Sequence, residues 1–164
     1  MRIAIVAVGR LKPGPERDLV DRFVQRIGAA GRAIGMPIPD SLEIDESRAR
    51  RAEDRRAEEA RLIGGKLASG GATVALDERG RDLSSEDFAA LVARHRDEGR
   101  DLAFVIGGPD GLDPDFLAGV DRRLRFGAMT LPHQLVRVLL AEQLYRATTI
   151  LAGHPYHRGA DHRS

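Results

Sequence analysis

The 164-residue chain contains no cysteine. Disulfide frameworks and thiolate metal centres are therefore excluded. No apolar run approaches the roughly 20 residues needed to span a bilayer. The apolar start, MRIAIVAVGRLKPG, is too short for a signal-peptide core and precedes no small-residue cleavage site, so it reads as a strand. These absences point to the cytoplasm. The Walker pattern GxxxxGK followed by Ser or Thr is missing, and so is the dinucleotide fingerprint GxGxxG. Neither a P-loop NTPase nor a standard Rossmann cofactor site is supported. Net charge is only +1, so no strong bias toward nucleic acid is announced. Lysine is confined to Lys12 and Lys66, and the remaining basic residues are arginines. The arginine fork suits phosphates and base edges. A bias toward Ala, Gly and Arg across a whole genome gives the same pattern.

What is present is a globular balance, with 42% hydrophobic and 31% charged residues. The length suits one domain, residues 1–164, around one sizeable core. Short apolar runs at Arg2–Val8, Ser41–Asp45, Ala72–Leu76, Leu102–Ile106 and Leu124–Leu131 read as strands. Helical spacing covers Glu16–Ala33, Ser47–Leu67, Ser84–His95, a short piece from Asp113 to about Gly119, and His133–Leu151. Ser84 or Ser85 followed by Asp87 is a capping signature. The charge-dense Ser47–Leu67 stretch predicts a solvated helix with i,i+4 pairs. His133–Leu151 is apolar on more than one side, which a surface helix would not be. Its own domain or a second subunit must cover it, and a homodimer is expected. Alternation of strands and helices predicts an α/β fold, a mainly parallel sheet with helices on both faces.

Ligands of such sheets bind beyond the carboxyl ends of the strands. Three of those ends are unusual: LDERG at 76–80, GGPDG at 107–111 and TLPH at 130–133. Glycines at 107, 108 and 111 allow backbone to lie close to a ligand, although glycine turns after strands are common. His154, Tyr156, His157 and Arg158 crowd two imidazoles, a phenol and a guanidinium into one short segment, equipped for acid–base work or for holding phosphate. A polar, frayed terminus is the plainer account. No acid or cysteine cluster joins the histidines, so no metal is expected. Glu142 and Arg146 are spaced as an i,i+4 pair, and Arg137 reads as a helix-surface cation or a substrate phosphate ligand.

Five motifs occur in a fixed order: VAVGR at 6–10, LDERG at 76–80, FVIGGPDGL at 104–112, TLPHQLVRVLLAEQLYRA at 130–147 and HPYHR at 154–158. Together they closely resemble the ribosomal large-subunit pseudouridine N(3)-methyltransferase family (RlmH) of the SPOUT superfamily, from the first strand to the tail. The resemblance implies a carboxyl-terminal trefoil knot, which general rules alone would exclude. It implies S-adenosyl-L-methionine bound in that knot. The contacts would fall on Leu76, Gly107, Phe126, Gly127, Ala128, Met129, Thr130 and Leu131. It implies a homodimer with each site completed by the partner chain. The substrate would be a pseudouridine in helix 69 of 23S rRNA, within the assembled 70S ribosome.

That chemistry assigns roles. Displacement at a sulfonium methyl needs an in-line nucleophile. The pseudouridine nitrogen carries a proton, so a general base is expected. His157 and Tyr156 lead as the groups that orient or deprotonate the base, with His154 behind them. Arg137 and Arg158 would hold phosphate or carbonyl oxygens, and Glu142 would orient an arginine or assist proton removal. Two features depart from the family: the chain continues past HPYHR with Gly-Ala-Asp-His-Arg-Ser, and Gln134 stands where proline is common. Alternative readings are a knotted methyltransferase of transfer RNA and a non-catalytic ribosome-binding dimer. Near-neutral charge implies weak binding to naked RNA and favours a preformed target.

Overall fold

A computed structural model describes residues 1–158. The extension beyond Arg158 lies outside them. The elements run β1 (Ile3–Val8), α1 (Pro15–Gly31) with a 3-10 turn at Arg32–Ile34, β2 (Asp40–Ile44), α2 (Ala52–Gly64), β3 (Ala72–Arg81), α3 (Ser85–Asp97), β4 (Leu102–Ile106), α4 (Pro114–Gly119), β5 (Arg122–Leu124) and α5 (His133–Leu151). All strand pairs are parallel, in the order β2-β1-β4-β3-β5. This is the α/β architecture that the alternation of strand and helix predicts.

Period-two alternation along the strands sorts the core into two layers. Ile3, Ile5, Val74, Phe104 and Ile106 pack with α1, α3 and α5. Val6, Val8, Ala75 and Val105 pack with Ile63 of α2 and Leu117 of α4. Helices therefore cover both faces, and β4 (LAFVI), buried at every residue, is a central strand.

Two sequence expectations change, and one open alternative narrows. The fifth strand, expected at Leu124–Leu131, is Arg122–Leu124. Gly127 adopts φ 118°, a left-handed value incompatible with an extended strand, and 125–132 becomes a loop. The helix expected at Ser47–Leu67 is Ala52–Gly64, preceded by an extended segment. It is not simply solvated, because Glu59 and Ile63 are buried. Glu59 accepts the Ser47 N–H at 2.9 Å, and Arg55 donates to the carbonyls of Ala49 and Arg50. Finally, much of the excess apolar surface of α5 is covered by its own chain. It packs on α1 and α3, which bury Leu140, Ala141, Leu144, Tyr145 and Ala147. Leu135 stays exposed.

One glycine is dictated by close approach. β3 is irregular between Leu76 and Arg81, both of which pair with Leu124. A Cβ at Gly80 would lie 2.6 Å from the Leu124 carbonyl carbon. The end of β3 thus wraps tightly over β5, and the Asp82 carboxylate accepts from the Arg125 guanidinium at 2.9 and 3.2 Å. This fixes the point where the 125–132 loop begins.

Candidate active site

The carboxyl ends of β3, β4 and β5 open into a cleft of about 650 Å³. That volume is within the range of small-molecule sites. Of the residues expected to hold a ligand, Leu76, Gly107, Phe126, Gly127, Met129, Thr130 and Leu131 line it. Ala128 lies in the same loop, exposed, and is not part of the lining. One wall is apolar, formed by Leu76, Ile106, Leu124, Phe126 and Val136, all of which belong to the layer of α1, α3 and α5. The side toward α2 and α4 mixes Leu112 and Leu117 with the charged Arg56, Asp77, Asp110 and Arg123.

The glycine loop is held from α2. Gly111 at φ 79° closes a turn through its N–H to the Gly108 carbonyl, 3.0 Å. The Arg55 guanidinium grips the Asp110 carboxylate with two bonds, 2.6 and 3.0 Å. That fork, the strongest form of ion pair, holds the Asp110 carboxyl below its ordinary value. Beside it, burial pushes the Glu59 carboxyl up, although the Ser47 N–H opposes the shift.

Arg137 proves to be a buried residue rather than a surface cation, 6% exposed. Its Nη1 donates to Glu43 at 2.5 Å, and its Nη2 donates to the carbonyls of Val8 and Gly9. The second turn of α5 is thereby pinned to the carboxyl ends of β1 and β2. Burial works to raise the Glu43 carboxyl, but the bonds from Arg137 and the Leu11 N–H outweigh it, and it titrates below its ordinary value.

The tail candidates form a connected network. His157 meets Glu86 through Nε2 at 2.7 Å and the Arg146 Nη1 through Nδ1 at 3.3 Å. This geometry matches the tautomer with hydrogen on Nε2. Arg146 donates twice to Glu142 Oε1, at 2.9 and 2.6 Å, and the Tyr156 hydroxyl donates to the same oxygen at 3.2 Å. The Tyr156 ring lies 4.6 Å from that of Tyr145 and under the Arg146 guanidinium. Burial, then the Glu142 charge, raises the Tyr156 phenol above its ordinary value, so it remains a donor at neutral pH. His154 is exposed and accepts the Tyr156 N–H, a local turn contact; Arg158 is exposed.

The structure therefore brings Glu142, Tyr156 and His157 together, but none of them lines the cleft. Val136 is on the cleft wall, and Arg146 lies ten residues further along α5, about 15 Å of helical rise. Sequence reasoning missed Glu86, which is distant in the chain and carries no local signal. It also passed over Asp77, Arg56 and His133, all of which line the cleft. Asp77 and His133 sit inside motifs already quoted. No cluster of metal-ligating side chains occurs among the described residues.

Comparison with known proteins bears on the family and the fold. The family described as "Predicted SPOUT methyltransferase" matches residues 1–157. A protein of Methylobacterium radiotolerans named "Ribosomal RNA large subunit methyltransferase H" is 58% identical over 161 residues, 97% of this chain and 98% of its own. A protein of the same name from Rhizobium leguminosarum bv. trifolii is 55% identical over 159 residues, 96% and 99% of the two chains. Among solved structures, a probable methyltransferase from Bordetella pertussis has a similar fold, with TM-score 0.55 and 20% identity, covering 90% of this chain and 96% of its own. A probable methylase family protein from Haemophilus influenzae gives TM-score 0.56 at 12% identity, covering 96% and 70%.

Proposed function

The chain belongs to the SPOUT methyltransferase family, and on that premise we propose that it transfers a methyl group from S-adenosyl-L-methionine to N(3) of a pseudouridine in 23S rRNA. The target is in helix 69 of the assembled ribosome, and the enzyme works in the cytoplasm as a homodimer of single-domain, knotted subunits. The cleft carries the reading: a glycine loop, an apolar wall and several charged side chains meet at the strand ends where α/β sheets place their ligands. The names of the relatives supply the RNA. No helix among the described residues is long and apolar enough to cross a membrane.

The residues present fit the methyl donor. The apolar wall of Leu76, Ile106 and Phe126 suits a flat heterocycle, and the loops at 107–111 and 126–131 offer backbone amides and carbonyls. When bound there, S-adenosylmethionine would supply an electrophilic sulfonium methyl group for the pseudouridine nitrogen and would leave as the neutral thioether. The pseudouridine N(3) proton must also leave. His157 is the acceptor we assign, at Nδ1. That atom is held only by the 3.3 Å contact to Arg146, the longest in the network, and is freed when the arginine turns toward RNA. Glu86 fixes the ring from the other side, and Tyr156 and Glu142 hold Arg146 and the tail in place. Arg158, exposed at the end of the segment, is available to phosphate.

Because this network does not line its own chain's cleft, the reading requires a second copy to present it there. Near-neutral charge favours a shaped target over naked RNA. The test is tritium transfer from labelled S-adenosylmethionine to ribosomes from a strain lacking this gene. Label in large-subunit RNA, lost when its pseudouridines are absent, is expected. Label on transfer RNA instead, or binding to ribosomes without transfer, would replace the proposal with another substrate or a non-catalytic role.

A further inference from the structure

The strap that joins β2 to α2, residues 45–51, carries Arg48, Arg50 and Arg51, and the proposed reaction uses none of them. The strap belongs to neither element, yet its backbone is tied down from α2. The Ser47 N–H donates to Glu59 at 2.9 Å and the Ser47 hydroxyl donates to Glu58. The Ala49 N–H donates to the Ser47 hydroxyl at 3.2 Å, and Arg55 Nη1 donates to the Ala49 and Arg50 carbonyls, both at 3.0 Å. Two of these anchors also hold the cleft. The same Arg55 guanidinium grips Asp110 through Nε and Nη2. Glu59, one helical turn further on, has its second oxygen 3.9 Å from the place that a Cβ would take on Gly108. Gly108 and Asp110 line the cleft. The strap is therefore the width of one guanidinium from the cleft's rim.

Exposure alternates along the strap: Ser47 and Ala49 are half-buried, and Arg48 and Arg50 are exposed. Acids close by in the chain are engaged elsewhere. Asp45 accepts from Arg10 at 3.1 Å, Glu58 and Glu59 accept from Ser47, and Glu53 lies 3.6 Å from Arg51. Arg48 and Arg50 enter no ion pair among the described residues. They stand two positions apart, about 6–7 Å along extended backbone, a separation that neighbouring phosphates of one polynucleotide strand can match. Guanidinium forks suit phosphate oxygens, and a backbone already ordered loses little entropy when they bind. We propose that the strap is an RNA-backbone contact, with Arg48 and Arg50 holding neighbouring phosphates of the strand whose base enters the cleft. This rests on the reading that the chain methylates ribosomal RNA. A net charge of +1 gives no general attraction to RNA, so local contacts of this kind must set the strand's register. Phosphate contacts position a strand without reading its sequence. Their loss is therefore felt in binding and in salt dependence, not in the chemical step.

The test measures methyl transfer to ribosomes lacking the modification, at several salt concentrations, with the full chain. The double variant Arg48→Gln/Arg50→Gln should raise KM for ribosomes about tenfold and leave kcat within about twofold. The slope of log KM against log salt should shrink by about 1.5, the share of two phosphates. S-adenosylhomocysteine affinity, read by calorimetry, should stay at the wild-type value, which also shows that the fold is intact. Arg48→Lys/Arg50→Lys keeps both charges and should keep the salt slope and most of the affinity. A loss as large as that of the glutamine pair would overturn the phosphate assignment. Arg22→Gln/Arg94→Gln removes the same charge from α1 and α3, on the other face of the sheet. It should leave KM within about twofold, and a loss equal to that of the strap variant would reduce the effect to net charge and overturn the proposal. A wild-type KM and salt slope for Arg48→Gln/Arg50→Gln would overturn it directly. A wild-type chain that neither binds nor methylates ribosomes would sink the substrate reading and the strap with it, a result distinct from failure of the strap alone.

Discussion

Arg137 offers the sharpest separation of a structural role from a catalytic one. Its side chain is 8% exposed, and its partner Glu43 is 37% exposed. Removing one partner of a fully buried pair costs about 3–5 kcal/mol. Here the carboxylate left behind can rehydrate, which lowers the cost, while the Val8 and Gly9 carbonyls lose their donor, at about 1–3 kcal/mol for a buried group. Arg137→Ala should therefore destabilise the fold by about 2–4 kcal/mol. Glu43→Ala leaves the guanidinium its carbonyls and should cost less, about 1–3 kcal/mol. Since both break one interaction, the double variant should fall short of the sum by about 1 kcal/mol. Glu43 titrates below its ordinary value of 4.5 in the fold. A lowered carboxyl contributes stability above its unfolded pKa and loses it as pH falls through the folded one, so the wild type should lose this increment below pH 4.5 and Glu43→Ala should not. Urea unfolding at several pH values measures all of this, with methyl transfer to ribosomes assayed in parallel. A wild-type unfolding midpoint for Arg137→Ala, together with lost transfer, would refute the anchoring argument and make Arg137 a substrate ligand.

Four further outcomes follow from the geometry. Gly80→Ala drives a Cβ to 2.6 Å from the Leu124 backbone; it should cost about 1–3 kcal/mol in thermal unfolding and weaken cofactor binding, because the 125–132 loop starts there. Asp110→Asn breaks the Arg55 fork. It should reduce S-adenosylhomocysteine affinity several-fold, and a wild-type Kd would show that the glycine loop is held without α2. The Tyr156 phenol titrates above its ordinary value of 10.0. A raised group loses its stabilising contribution as pH rises, so the wild type should weaken past that value while Tyr156→Phe shows no such loss. Glu86→Gln leaves the His157 ring less firmly held; transfer should slow while cofactor Kd stays constant, and a changed Kd would move Glu86 from the tail to the cleft.

How far the sequence could be read depended on whether a signal was local. Strand alternation, the Ser84 cap and the apolar run LAFVI are local, and the structure follows them: Ser84 Oγ accepts the Asp87 N–H at 3.0 Å, and β4 is wholly buried. The 125–132 loop misleads for an equally local reason. LRFGAMTL has strand-like composition, and only the positive φ of Gly127 shows that the chain leaves the sheet. Arg137 is illegible because its burial depends on Glu43, 94 positions away in the chain. Glu59 is hidden in the same way: an acid in a charge-dense helix reads as solvated until α2 is laid against β1 and the glycine loop.

The tail shows the deeper limit. HPYHR is legible as chemistry, and its own-chain contacts then explain how Tyr156 and His157 are held, through Glu142, Arg146 and Glu86. What one chain does not do is carry that chemistry to the cleft. Every contact in the network is an orienting one: both imidazole nitrogens are engaged, and the phenol and guanidinium converge on one carboxylate oxygen. A constellation so completely satisfied internally has no reason to abstract a proton until something displaces Arg146. On the proposed reading, phosphate of the RNA is such a competitor, since it offers the guanidinium a bidentate partner that Nδ1 of His157 does not. Proton removal would then be coupled to RNA docking, and free pseudouridine, which carries no phosphate, should be methylated far more slowly than ribosomes even at saturating concentration. Equal maximal rates for the two would break that coupling and leave His157 without a trigger.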